Sequence, residues 1–155
     1  MTPTGIRIPD RGDGLTVHEL RTAIKAVLTC LQFIHARRFV HRDLRWANII
    51  KHASYLSNGT LESYHFLIID FEFAACDGDA MMINNYIHGR IIPYGSSYHT
   101  LHDMRRLVGK LLEAWAGSNN QVLNPLALDF MYSATREDHP LDASAALQHA
   151  WLREL

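Results

Sequence analysis

The sequence predicts a mainly helical α+β domain, and three observations carry that reading. First, apolar residues recur at helical spacing in two long stretches: Leu20, Ile24, Val27, Leu28, Leu31 and Ile34, then Leu101, Met104, Leu107, Val108, Leu111, Leu112 and Trp115. Second, two short apolar runs at 49 to 51 and 65 to 70 flank a polar stretch containing the turn pair Asn58 and Gly59, which reads as a β-hairpin. Third, 155 residues at 48% hydrophobic and 20% charged are enough for a single core.

Residues 1 to 15, rich in Gly, Pro and charge, read as a flexible lead, and 16 to 155 as the folded domain. Thr16 to Glu19 has the Thr-x-x-Glu form of a capping box, so a helix starts there and should run to about Arg38 with its apolar face buried. Phe39 and Val40 form a short extended lead-in. Lys51 closes the first hairpin strand, residues 52 to 64 read as its connection, and the return strand starts at His65. Residues 71 to 99 have little periodicity. Thr100 with Asp103 suggests a second cap, opening a helix that the run Gly117 to Asn120 ends. A shorter helix is expected from Pro125 to Ser133. A last one comes after Pro140, carrying Ala143, Ala146, Leu147, Trp151 and Leu155.

Charge narrows the class of partner. Fifteen basic against sixteen acidic residues give a formal charge of −1. That balance does not suggest nucleic acid, and no basic amphipathic run suggests a membrane surface. The opening residues lack the apolar core of a signal peptide, and no apolar run reaches transmembrane length. Two cysteines, Cys30 and Cys76, make no disulfide framework, which fits a reducing, cytoplasmic setting. The ten histidines are scattered, without zinc-ligand spacing.

The chemistry concentrates in two segments. Residues 41 to 48 read His-Arg-Asp-Leu-Arg-Trp-Ala-Asn, and 67 to 71 read Leu-Ile-Ile-Asp-Phe. A carboxylate at Asp43, an amide oxygen at Asn48 and a carboxylate at Asp70 are hard oxygen donors of the kind Mg²⁺ takes, one or two at a time, beside phosphates. Arg45 sets a planar positive fork beside them, suited to a transferred phosphoryl group.

These segments resemble the H-R-D-L-x-x-x-N loop and the strand into D-F-G of eukaryotic-type protein kinases. From Thr16 onward the chain resembles the larger, C-terminal lobe of that fold. The wording of the two motifs is similar to divergent kinase-like proteins of fungi and of crinkler-type effectors. The resemblance implies Asp43 as base, Arg45 as phosphate contact, and Asn48 and Asp70 as holders of Mg²⁺ and ATP. It implies that His41 organises the loop and that Arg42 meets a phosphate on the segment 71 to 99, with Tyr86, Tyr94, Ser96, Ser97, Tyr98 and Thr100 as candidate acceptors. Asp103 looks like the aspartate that anchors the loop backbone, and residues 142 to 152 look like the closing kinase helix.

The departures are equally plain. The Gly-rich loop, the Val-Ala-Ile-Lys strand and its glutamate partner are missing, so the smaller nucleotide-holding lobe is expected from elsewhere: a missing part of the same gene product or a partner chain. Glu72 replaces the glycine of D-F-G and adds a carboxylate, either a third metal contact or a solvated side chain. Three functions stand as expectations. One is a protein kinase lobe that phosphorylates a protein Ser or Thr hydroxyl once the nucleotide lobe is supplied, and is inactive alone. Another is a non-catalytic pseudokinase, binding module or gene fragment. The last is a small-molecule phosphotransferase of the choline-kinase kind, suggested by Asp70-Phe71-Glu72 with Phe73 next in the chain.

Overall fold

A computed structural model describes residues 5–81, 85–87 and 90–153. The architecture is α+β: helices packed into one core with three small antiparallel sheets at its edge.

Helix α1 (Val17–His35) is the spine of that core. Its start is the capping box: Glu19 N–H donates to Thr16 Oγ1 at 3.2 Å and Thr16 N–H donates to Glu19 Oε2 at 2.9 Å. Leu20, Ala23, Ile24, Val27, Leu28 and Leu31 are buried along one face, the stripe the helical period dictates. The helix stops at His35, earlier than Arg38, because Arg38 adopts the left-handed conformation (φ 61°) that turns the chain out of the helix.

The lead is not loose beyond residue 4; residues 1 to 4 lie outside the described part. Strand β1 (Ile6–Arg7) pairs antiparallel with residues 50 and 51, and Ile8 and Leu15 are buried in the core. Gly12 explains the fit. Its φ is +70°, and a Cβ there would stand 2.8 Å from Trp46 Cε2 and 3.2 Å from Trp115 Cδ1. Only glycine lets the backbone pass between the two indoles. Trp46 Nε1 and Trp115 Nε1 then donate to the carbonyls of Leu111 and Leu15, at 3.1 and 3.0 Å.

Strand β2 (Phe39–Val40) leads into the 41 to 48 loop, which closes in a 3₁₀ turn, Trp46–Asn48. The hairpin is larger than expected. Strands β3 (Ile49–Tyr55) and β4 (Leu61–Ile68) pair from Ile49↔Ile68 to Tyr55↔Leu61, so most of the expected connection is strand. The turn itself is short, with Gly59 at φ +81° and Asn58 Oδ1 accepting from Thr60 N–H at 2.9 Å. Polar residues such as His52, Ser54 and Ser63 hid these strands, because the ladder is set by backbone bonds and one face is wet.

Between 71 and 99 lie strands β5 (Ala75–Cys76), β6 (Asn85–Ile87) and β7 (Arg90–Ile92). β5 pairs with β2, and β6 with β7. The base of the segment is closed by Gly78 N–H to Tyr98 O (2.8 Å) and Met81 N–H to Ser96 O (2.8 Å).

The second long helix is continuous but changes pitch. It runs as α2 (Thr100–Arg106), a π-helical stretch (Leu107–Glu113) and α3 (Ala114–Ser118). The Leu111 carbonyl taken by Trp46 sits in the π stretch, an interruption of the kind that loosens the ordinary ladder. Helix α4 (Pro125–Thr135) has Asn124 as its cap. The expected single last helix is two, α5 (Ala143–Leu147) and α6 (Ala150–Arg153). His149 makes the break: its Nδ1 accepts from Trp151 N–H at 3.2 Å. Leu155 lies outside the described residues. Among the described residues no helix is long and apolar enough to cross a membrane.

Candidate functional site

The site is built on one buried carboxylate. Asp103 is fully buried and accepts from four directions: His41 N–H (2.8 Å), Arg42 N–H (3.0 Å), the Tyr98 hydroxyl (3.1 Å) and His35 Nε2 (2.9 Å). It caps no helix end. At the start of α2 it is His102 Nδ1 that accepts from His99 N–H, at 2.8 Å, and Asp103 is turned inward. Two backbone donors that no strand or helix engages are thereby satisfied, which fixes the loop where Arg42 adopts a left-handed φ of 70°. Tyr98 is fully exhausted by this contact. It is 0% exposed, and burial pushes its hydroxyl well above the usual tyrosine value, so it is not a phosphate acceptor in this fold.

From this anchor the loop presents Asp43. Its Oδ1 accepts from Arg106 Nη2 at 2.9 Å, and its Oδ2 accepts from Asn48 Nδ2 at 2.8 Å and lies 3.2 Å from Arg45 Nε. Asn48 Nδ2 also donates to the Asp43 carbonyl at 2.8 Å. Both Asn48 hydrogens thus point back into the loop, and its Oδ1 makes no bond with a described residue. Ile69 N–H donates to the Asn48 carbonyl at 2.9 Å, which ties the loop to the end of β4, next to Asp70.

His41 sits under these groups. It is fully buried, its ring centroid is 4.7 Å from that of Phe71, and Asp43 N–H donates to its Nδ1 at 3.2 Å. Burial holds its imidazole below the ordinary histidine value, against the pull of Asp103, so it is neutral at neutral pH. Arg42 is 7% exposed, and its Nη2 donates to the Asp79 carbonyl at 2.9 Å. The guanidinium therefore reaches the segment expected to hold a phosphate, and meets a carbonyl there. Tyr94 and Ser97 are exposed, Ser96 and Thr100 are half-buried, and the side chain of Tyr86 lies outside the described part.

Asp70 stands at the end of the hairpin, exposed, with a left-handed φ of 63°. Phe71, Glu72 and Phe73 beside it are exposed too, and Glu72 makes no bond with a described residue. Among the described residues, no group of three or more His, Cys, Asp or Glu side chains is placed to hold a metal ion. The Asp43 oxygens are engaged, so the side-chain oxygens that make no bond with a described residue here are Asn48 Oδ1 and the carboxylates of Asp70 and Glu72. A carboxylate and a neutral amide oxygen are what a hard, partly hydrated divalent cation accepts from protein.

Arg106 belongs to the candidate site but was not among the residues singled out from the sequence. The signal was available: it lies three residues after Asp103 on one helix, hence on the same face. With Asp10, Arg11, Asp43, Arg45 and Lys110 it lines a cleft of about 460 Å³ that opens beside Asp43. No protein-family model matches this chain, and no curated protein matches it significantly in sequence.

Proposed function

We propose that this chain is the larger lobe of a protein-kinase-like phosphotransferase. It acts on a protein hydroxyl, Ser or Thr in preference to Tyr, when a nucleotide-holding lobe is supplied from elsewhere. The observation that carries the reading is Asp103 accepting from the backbone N–H groups of both His41 and Arg42. A buried carboxylate that pins two successive backbone N–H groups of one loop is expected where that loop must hold reactive groups in fixed positions.

In this reading Asp43 orients the acceptor hydroxyl and takes its proton, and Arg45 faces the transferred group. Asn48 and Asp70 would hold Mg²⁺, which supplies charge neutralisation at the ATP phosphates when bound. His41, neutral and buried, keeps the loop in shape and does not move protons. A small-molecule acceptor of the choline type suits the cleft poorly: four of its lining side chains are cationic and none is aromatic, whereas a quaternary ammonium is held by aromatic faces.

One observation favours the non-catalytic alternative. Both Asp43 oxygens are engaged, one by Arg106 and the other by Asn48 and Arg45, so an acceptor hydroxyl must displace a partner to reach either. Calorimetric titration with ATP, with and without Mg²⁺, separates the two. Mg²⁺-dependent binding that Asp70→Ala abolishes supports the phosphotransferase; binding by neither protein favours the interaction module.

A further inference from the structure

The chain as a whole carries a formal charge of −1, yet Arg11, Arg45, Arg106 and Lys110 converge on one cleft beside Asp43, against Asp10 and Asp43 itself. The concentration is local. The four cations also come from separate parts of the sequence: the lead before α1, the loop, and two points along the second long helix. Their roles differ. Arg106 is 5% exposed at its side chain and is committed to Asp43 at 2.9 Å. Arg45 is 53% exposed and touches Asp43 only through Nε, at 3.2 Å, so its terminal amino groups make no bond with a described residue. Arg11 is exposed and likewise makes no bond with a described residue. The remaining lining, Gly109 and Ala114, is small and leaves room for side chains to enter.

From this we infer that the cleft recognises an acidic peptide segment: Asp, Glu or phosphoserine side chains flanking the hydroxyl that faces Asp43 seat on Arg11 and Arg45, with Lys110 adding to the field. This rests on the phosphotransferase reading and names its acceptor class. Guanidinium forks pair with carboxylates and phosphates in two-point contacts, and a cleft walled by low-dielectric protein focuses their field. A basic peptide meets the opposite situation, since only Asp10 would face it once Asp43 is paired. The volume, about 460 Å³, lies within the range of sites that take ligands of several side chains.

The test is fluorescence anisotropy on the whole chain with three labelled serine peptides of equal length, flanked by Glu, by phosphoserine or by Lys. The Glu and phosphoserine peptides are expected to bind roughly tenfold or more tightly than the Lys peptide, with phosphoserine the tighter of the two and both weakened by added salt. Arg11→Glu, a surface change outside the loop, is expected to remove most of that preference while leaving the urea midpoint unchanged. Lys110→Glu is expected to act in the same direction. Equal affinity for the Glu and Lys peptides overturns the inference. So does an unchanged preference in both variants, or tighter binding of a single-stranded oligonucleotide than of either acidic peptide. Mg²⁺-ATP titration of the same samples keeps the two readings apart. Acidic-peptide preference without ATP binding upholds the cleft and removes a nucleotide site on this chain by itself; ATP binding without peptide preference removes the cleft alone.

Discussion

The two acidic residues at the ends of the site sit in opposite surroundings. Asp103 is fully buried and accepts four hydrogen bonds, whereas Asp70 is exposed, in a left-handed backbone conformation, and bonded to no described side chain. Around Asp103 the packing of α1, β2 and the second long helix settles the geometry of residues 41 to 48. Around Asp70, Phe71 and Phe73 are exposed at 43% and 41%, with Phe71 also touching the His41 ring. One half of the site is therefore held by the core, and the other half is left open to solvent. If the proposed function holds, this is the division a split catalytic unit requires: the acceptor side rigid, the nucleotide side completed by another body.

The contrast breaks first at Asp103. Asp103→Ala leaves the His41 and Arg42 N–H groups and the Tyr98 hydroxyl without an acceptor inside the core. The expected cost is about 3–5 kcal/mol of stability, read from urea unfolding, with loss of amide-exchange protection at His41 and Arg42. A loss below about 1 kcal/mol would mean the loop holds itself.

Gly12→Ala tests the lead at the next level. The new Cβ would press on Trp46 and Trp115, and φ +70° disfavours any side chain. About 1–3 kcal/mol is expected, by the same unfolding assay, because both indoles are held by their own hydrogen bonds. A neutral result would show that residues 5 to 15 are not docked in solution.

Acid sharpens the contrast with a smaller effect. His41 and His102 both have imidazoles held below their ordinary value of 6.5 by burial. The unfolded chain therefore binds protons that the folded chain refuses. Stability is full above about pH 6.5 and declines as the pH falls below it toward the lowered folded-state values. Unfolding free energy should be lower at pH 5.5 than at pH 7.5, and equal or greater stability at the lower pH would contradict this burial.

Much of this was legible in the sequence, for identifiable reasons. The capping box at Thr16 and the stripe from Leu20 to Leu31 are local signals, read by spacing alone, and α1 obeys them. The convergence of His41, Arg42 and Asp103 came only through resemblance, since two positions far apart in sequence meet through packing. The hairpin length was not legible, because Lys51, His52, Ser54, Glu62 and Ser63 interrupt the apolar pattern of strands whose pairing is set by backbone bonds. The π stretch was not legible either, since the Leu111 carbonyl in it is taken by Trp46 from 65 residues away; the break at His149, where its ring accepts from the Trp151 N–H two residues on, was missed although it is local. The cleft was missed because its cations are dispersed along the chain, with no run of charge to mark them.

The most direct test of the central claim is paramagnetic broadening of backbone amide signals by Mn²⁺-ATP, with Mn²⁺ standing in for Mg²⁺. The account expects broadening confined to residues near Asn48 and Asp70, and its loss in Asp70→Ala, a variant that should otherwise stay folded because its side chain is exposed and supports nothing in the core. Uniform weak broadening, or the same pattern in Asp70→Ala, would contradict a nucleotide-metal site at this loop.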